Sequence, residues 1–232
     1  MALPKLDTPV YNLELPSTGN VIKYRPFLVK EQKILMMAEE SKDENEVYNA
    51  MKETITSCTF GDLDVENAPI FDVEYVFVKI RSKSVGETIE FRVLCPDDKE
   101  TYGETTINLD EVSVQVEDGH TNIIEINDNI KMVMRYPTLS NAKSFTGTTS
   151  DVFNILKGCI HEVHHDETIY HRVDITDKDI EEFIEGFTVD QFQKVTDFFE
   201  TMPKLRHFVE VENPKTKVKS EILVEGLESF LA

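Results

Sequence analysis

The sequence predicts an α+β fold in which antiparallel hairpins and a β meander pack with several amphipathic helices and helix pairs. Three observations carry this. Short runs of alternating apolar and polar residues are closed by turn residues, as in residues 10–15 and 21–24 around Pro16, Gly19 and Asn20. Apolar stripes at helical spacing begin just after capping residues, as at Asp43, Thr176 and Thr188. Between these two kinds of segment lies the stretch 69–87, the densest mixture of apolar and oppositely charged residues in the chain.

That central stretch reads as a helix. Asp72 is placed to cap it, Glu74 adds negative charge to its first turn, and Lys79, Arg81 and Lys83 put positive charge toward its far end, as a helix dipole favours. Gly86 supplies the stop. The seams Phe71, Tyr75, Val78 and Val73, Phe77, Ile80 predict burial on more than one side.

Taken in order, Pro4, Pro9 and Pro16 keep the first segment extended, and it folds into a hairpin. Leu28, Leu35 and Ala38 with Val29, Ile34 and Met37 mark one amphipathic helix; Val47, Tyr48, Met51, Ile55 and Cys58 mark a second, antiparallel to it. After the central helix, residues 88–94 alternate through Ile89, Phe91 and Val93, and residues 105–116 read as one further strand through Ile107, Leu109, Val112 and Val114. Residues 122–126 and 130–135 pair across 127–129 and complete a meander of short strands.

Pro137 breaks the β run, and 140–147 is a connector. Ser150 caps a helix with the stripe Phe153, Leu156, Ile160 and Val163, and a strand follows at 168–173. Thr176 and Thr188 then start a helix pair, and a hairpin around Asn213 and Pro214 precedes a short apolar end. The knuckles at Pro96 and Pro214 predict two similarly shaped hairpins. No linker divides the chain, so 1–232 is expected to form a single domain, with possible subdomains at 1–136 and 137–232.

Composition narrows the function. The 44 Asp and Glu outweigh 24 Lys and Arg, for a net charge of −20 over 232 residues. Such a field disfavours nucleic acid and anionic membranes, and favours a basic protein partner while keeping the chain soluble. No apolar run approaches the roughly 18 residues of a membrane span, and the first residues lack the sections of a secretory signal, so action in the cytoplasm where the chain is made is expected. Cys58, Cys95 and Cys159 are odd in number and far apart, and read as small buried hydrophobes. The methionines Met36, Met37 and Met51 are expected in the core rather than along a binding groove.

One catalytic string stands out. His161 to His165 satisfies H-E-x-x-H, and a zinc-dependent hydrolase using His161, Glu162 and His165 is the alternative function. On the expected helix, however, His161 and His165 align with Lys157 and Gly158, away from the apolar stripe, and 166–168 end the helix beside His165. No nucleophile elbow or phosphate loop is present. The residues therefore predict no catalytic, cofactor or metal site and no small-molecule substrate.

The stretch LELPSTGNVIKYRPFLVKEQKILMMAEES, then FDVEYVFVKIRSKSVGE and finally ILVEGLESFL resemble the baseplate hub subunit and hub-assembly family of T-even-like contractile-tailed bacteriophages. The resemblance implies a structural or assembly protein without enzymatic activity, made in the host cytoplasm and either kept in the tail baseplate of the virion or released after assembly. Its implied partners are other baseplate hub or tail proteins. Within that frame Arg25, Phe27, Lys30, Glu31, Asp72, Glu74, Arg81 and Lys83 organise the fold or a contact surface. Leu227 and Phe230, apolar residues near the chain end, are expected to dock on this chain or on a neighbour.

Overall fold

A computed structural model describes residues 6–142, 149–226 and 230. The fold is α+β: seven α-helices and eleven strands are found among the described residues, the strands lying in four small antiparallel sheets. The described parts of 1–115 and 204–232 form one compact unit, and those of 116–203 form another.

The first unit begins with the hairpin β1 (Tyr11–Glu14) and β2 (Val21–Tyr24), in which Tyr11 faces Tyr24 with ring centroids 5.4 Å apart. Helices α1 (Val29–Ser41) and α2 (Glu44–Cys58) follow, the second capped by Asp43, which accepts from the Asn45 N–H at 2.8 Å. The central helix α3 spans Ile70–Val85, and Phe71, Val73, Phe77, Val78 and Ile80 are buried on it, so both expected seams are inside.

Its start corrects the expected cap. Pro69 occupies the capping position with φ −52°, and Asp72 lies within the first turn. There the Asp72 carboxylate accepts from Ser17 N at 3.1 Å and from Ser17 Oγ, so it caps the turn of the first hairpin rather than its own helix. The proline explains the shift, because a preset φ and a missing N–H suit the first helical positions. Gly86 ends the helix at φ +130°, where a side chain would be strained.

Strand β3 (Thr88–Leu94) pairs with β4 (Tyr102–Asn108), and β5 (Ser113–Gln115) belongs to a different sheet. The single strand expected over 105–116 is thus two, separated by a turn over 109–112. The turn forms on a polar stripe of α3. Lys79 Nζ donates to the carbonyls of Leu109, Asp110 and Val112 at 3.1, 2.7 and 3.0 Å, while Ser82 and Lys83 donate to the Asp110 carboxylate at 2.6 and 2.7 Å. Leu109 and Val112 are both fully buried beneath it. The Lys79 charge, expected to serve the helix dipole, instead serves these three carbonyls from mid-helix, with the Tyr75 ring 5.1 Å away.

The second unit holds β6 (Ile123–Glu125), β7 (Ile130–Met134), the single turn α4 (Leu139–Ala142), α5 (Thr149–Cys159), β8 (Ile160–His165) and β9 (Thr168–His171). A 3-10 turn at Arg172–Asp174 leads into α6 (Asp177–Glu185) and α7 (Val189–Thr201), each opened by the threonine expected to cap it. The strands run in the order β6-β7-β8-β9, so the meander lies here and not across 88–135. Helix α5 includes Ser150 and stops at Cys159, four residues short of the expected stripe. Arg135 explains the stop: its backbone N–H takes the Cys159 carbonyl at 2.7 Å and its Nε takes the Gly158 carbonyl at 2.9 Å, leaving the next residues to pair with β7. Strand β9 likewise ends at His171, two residues before its expected limit. Of the expected connector, 143–147 lies outside the described residues.

The chain then returns to the first unit as β10 (Lys204–Glu212) and β11 (Lys219–Glu225), with β10 between β11 and β5. Val78, Ile107, Leu109, Leu205, Val224 and Phe230 share one core there. The two hairpin tips are indeed alike: Lys99 and Lys217 both have φ near +60° and donate back to the carbonyls of Cys95 and Asn213. They also meet, because Asp97 accepts from Asn213 Nδ2 at 3.0 Å and from Thr216 Oγ1 at 2.6 Å. Gly103 permits the approach, since a Cβ there would come within 2.3 Å of Val211.

Replacing Lys79 by Met keeps the aliphatic stem but leaves the three carbonyls without their donor. Urea unfolding followed by circular dichroism is expected to show a loss of about 3 kcal/mol, against less than about 0.5 kcal/mol for Lys33→Met on the exposed face of α1.

Candidate functional site

The residues singled out from the sequence fall into three places in the first unit. At the start of α1, Arg25 and Glu31 are both buried and pair at 2.8 Å. Ser57, near the end of α2, donates to the same Glu31 oxygen at 2.9 Å, and Leu28 N–H donates to the other at 2.8 Å. Lys30 reaches Glu31 at 3.2 Å from an exposed position. Burial by itself raises the Glu31 pKa, but the hydrogen bonds from Arg25, Leu28, Ser57 and Lys30 outweigh it and hold the carboxyl at about 2. This cluster locks α1 to α2.

On α3, Asp72 is buried against Ser17, Glu74 is half-buried, and Lys83 bridges Glu87 at 2.6 Å and Asp110 at 2.7 Å. Burial pushes the Asp72 carboxyl up despite its two hydrogen bonds. Phe230 is fully buried in the core of the same unit, whereas Leu227 lies outside the described residues.

Phe27 and Arg81, far apart in sequence, meet at the third place. They line a groove of about 310 Å³ between α1, α2 and α3, together with Leu35, Met36, Val47, Met51, Phe77 and Val85. Met36 and Val85 are each 55% exposed at its rim, and Met37, Leu28 and Val29 extend the apolar surface along α1. The expectation that the α1 methionines sit in the core is corrected here. Ala38 and Glu31 face inward on this helix, which rotates Met36 and Met37 outward. A flexible thioether can repack against different partners, and an exposed apolar groove of this kind suits a bound side chain or helix. Glu39 lines the groove, and Glu40 and Glu46 are exposed near the α1–α2 corner together with Lys42, so the charge there is net acidic.

The H-E-x-x-H string does not form the arrangement that zinc hydrolysis needs. It lies on β8 and not on a helix, so its histidines are not stacked at one-turn spacing. Glu162 instead accepts from His164 Nε2 at 2.8 Å and His171 Nδ1 at 3.1 Å, and the His164 bond together with the charge of His171 holds its carboxyl below the ordinary value. Among the described residues, no group of three His, Cys, Asp or Glu side chains is placed to hold a metal ion. Cys58, Cys95 and Cys159 are buried and unbridged, and burial pushes the thiols of Cys58 and Cys159 up to about 11 and about 12, far from a reactive thiolate.

Sequence reasoning missed His120. Its ring bonds Thr201 Oγ1 at 2.9 Å and Tyr136 OH at 3.1 Å beside an open hollow of about 730 Å³, and burial lowers its pKa. No local motif surrounds it, since its partners come from β7's end and α7.

Glu31 makes a direct acid test. Its folded pKa of about 2 lies below the ordinary 4.5, so its stabilisation is complete above pH 4.5 and is lost as pH falls through 2. Glu31→Gln is expected to cost about 3 kcal/mol near neutrality by urea unfolding, and the gap to the unaltered protein should close between those two pH values.

Against known proteins, a family model described as T4 bacteriophage base plate protein matches residues 8–232. No curated protein and no solved structure matches.

Proposed function

The chain belongs to the T4 bacteriophage base plate protein family, and from that premise we propose that it is a baseplate hub component or hub-assembly factor that works by binding other baseplate proteins, without catalysis. Membership makes it a T4-like phage baseplate protein. The observation that carries the finer reading is the groove between α1, α2 and α3. A chain with net charge −20 has ample polar surface, yet Met36, Val47 and Val85 are exposed together around one hollow. Large apolar groups gathered this way gain free energy by being covered, at roughly 25 cal/mol per Å². The acidic corner formed by Glu39, Glu40 and Glu46 selects a partner with basic residues beside its apolar ones.

On this reading Phe27 and Arg81 belong to the contact surface, while Arg25, Glu31, Asp72 and Lys83 hold the helices that shape it. Glu74 and Phe230 support the same scaffold.

A tagged copy expressed in infected cells tests the proposal. Baseplate proteins are expected to co-purify with it, and Met36→Glu combined with Val85→Glu is expected to lower their recovery about tenfold while leaving the melting temperature unchanged. Purification without any baseplate protein would overturn the binding role. Mass spectrometry of virions beside assembly intermediates then separates a resident component from a departing factor.

A further inference from the structure

A second surface, on the unit formed by 116–203, stands apart from the groove. Among the described residues, strand β9 is the edge of its sheet and pairs with β8 alone. All four of its residues are exposed, with Ile169 at 50% and Tyr170 at 46%, and Val173 just beyond is 90% exposed. Proteins ordinarily protect an edge with lysine, proline or a bulge, and Thr168–His171 contains no lysine or proline and pairs in regular register.

The edge also has a hollow beside it. About 320 Å³ of mainly apolar space is lined by Tyr170 from β9, Val163 from β8, Ile130 from β7, and Ile175, Ile180 and Phe183 around α6. Tyr170 pairs with the buried Val163, so it points to the side of the sheet that the helices cover. A strand laid along β9 would place alternate side chains on that same side, at the mouth of the hollow. The surrounding charge is net negative. Asp166 and Glu167 form the turn before β9, and Asp174, Asp177 and Asp179 follow it. The neighbouring cations are already engaged, Arg172 with Asp177 and Lys178 with Glu182.

We propose that β9 is a docking edge for an extended segment of a partner protein, which adds as a fifth strand, sets a large apolar side chain into the hollow and carries basic residues at its ends. Main-chain hydrogen bonds supply the affinity, the hollow supplies side-chain selectivity, and the aspartates select the charge. A second copy of this chain is a poor occupant, because its own edge carries the same negative flanks. The inference is independent of the groove and of the hub role.

The test uses a labelled synthetic strand of alternating valine and threonine around a central phenylalanine, with lysines at both ends, and a twin with glutamates in their place. Fluorescence anisotropy should show saturable binding of the lysine form, at least about tenfold tighter than its twin and weakened by salt. Amide hydrogen exchange on the unaltered protein should slow across 168–171 when that peptide is bound. Ile169→Lys, at an exposed position, should weaken binding about tenfold. Absence of saturable binding, or protection confined to other segments, overturns the proposal. So does sedimentation showing a dimer that Ile169→Lys dissociates, which would assign the edge to a second copy.

Discussion

A single ammonium group governs how the first unit closes. Lys79 Nζ sits mid-helix on α3 within 3.1 Å of three backbone carbonyls, all belonging to the turn between β4 and β5. A buried charge is costly unless it is this fully hydrogen-bonded, so the turn and the helix determine each other's position. Once the turn is fixed, β4 stays with β3 and β5 is released to pair with β10. The returning hairpin then completes the core with Leu205, Val209 and Val224 packed beside Val78 of α3. Remove the ammonium and the turn keeps only the Asp110 contacts to Ser82 and Lys83 and its own short-range bonds, with three carbonyls left without this donor.

That strand is what the alternation in the sequence suggests, and the signal against it was small. Ile107 and Leu109 share one parity while Val112 and Val114 share the other, so the apolar pattern slips by one residue at the point where the turn forms. Elements bounded by their own chemistry were easy to see: Asp43, Thr176 and Thr188 each accept a backbone N–H at the start of the helix they were expected to open. Elements bounded by distant partners were not. The end of α5 is set by Arg135, and Asp72 is drawn from helix capping to Ser17 of the first hairpin, contacts that periodicity does not encode. The same holds at the candidate site. Arg25 and Glu31 stand close enough in sequence to suggest a pair, but Ser57, Met51 and Val85 come from elsewhere, and only folding shows that Met36 faces out.

The two candidate surfaces use different physics for a similar end. One is a hollow between helices rimmed by thioethers and aliphatic groups, suited to side chains that pack. The other is a backbone edge without a strand partner among the described residues, beside an apolar hollow and suited to a segment that arrives extended. Both carry acidic surroundings, in keeping with the charge of the whole chain. For a baseplate protein, acidity of this extent lets apolar surfaces stay exposed without the chains sticking to one another.

The return of the chain to its first unit has a consequence for synthesis on the ribosome. Residues 6–115 emerge first but lack β10 and β11 and the buried Phe230 until 204–230 have been made. The unit formed by 116–203 has its own sheet, helices and core, and is complete before that moment. The unit that contains 6–115 therefore closes only after the one formed by 116–203 has been made. Phe230 fills part of the core that Val78 of α3 also lines, so losing that one ring would leave a cavity against the central helix.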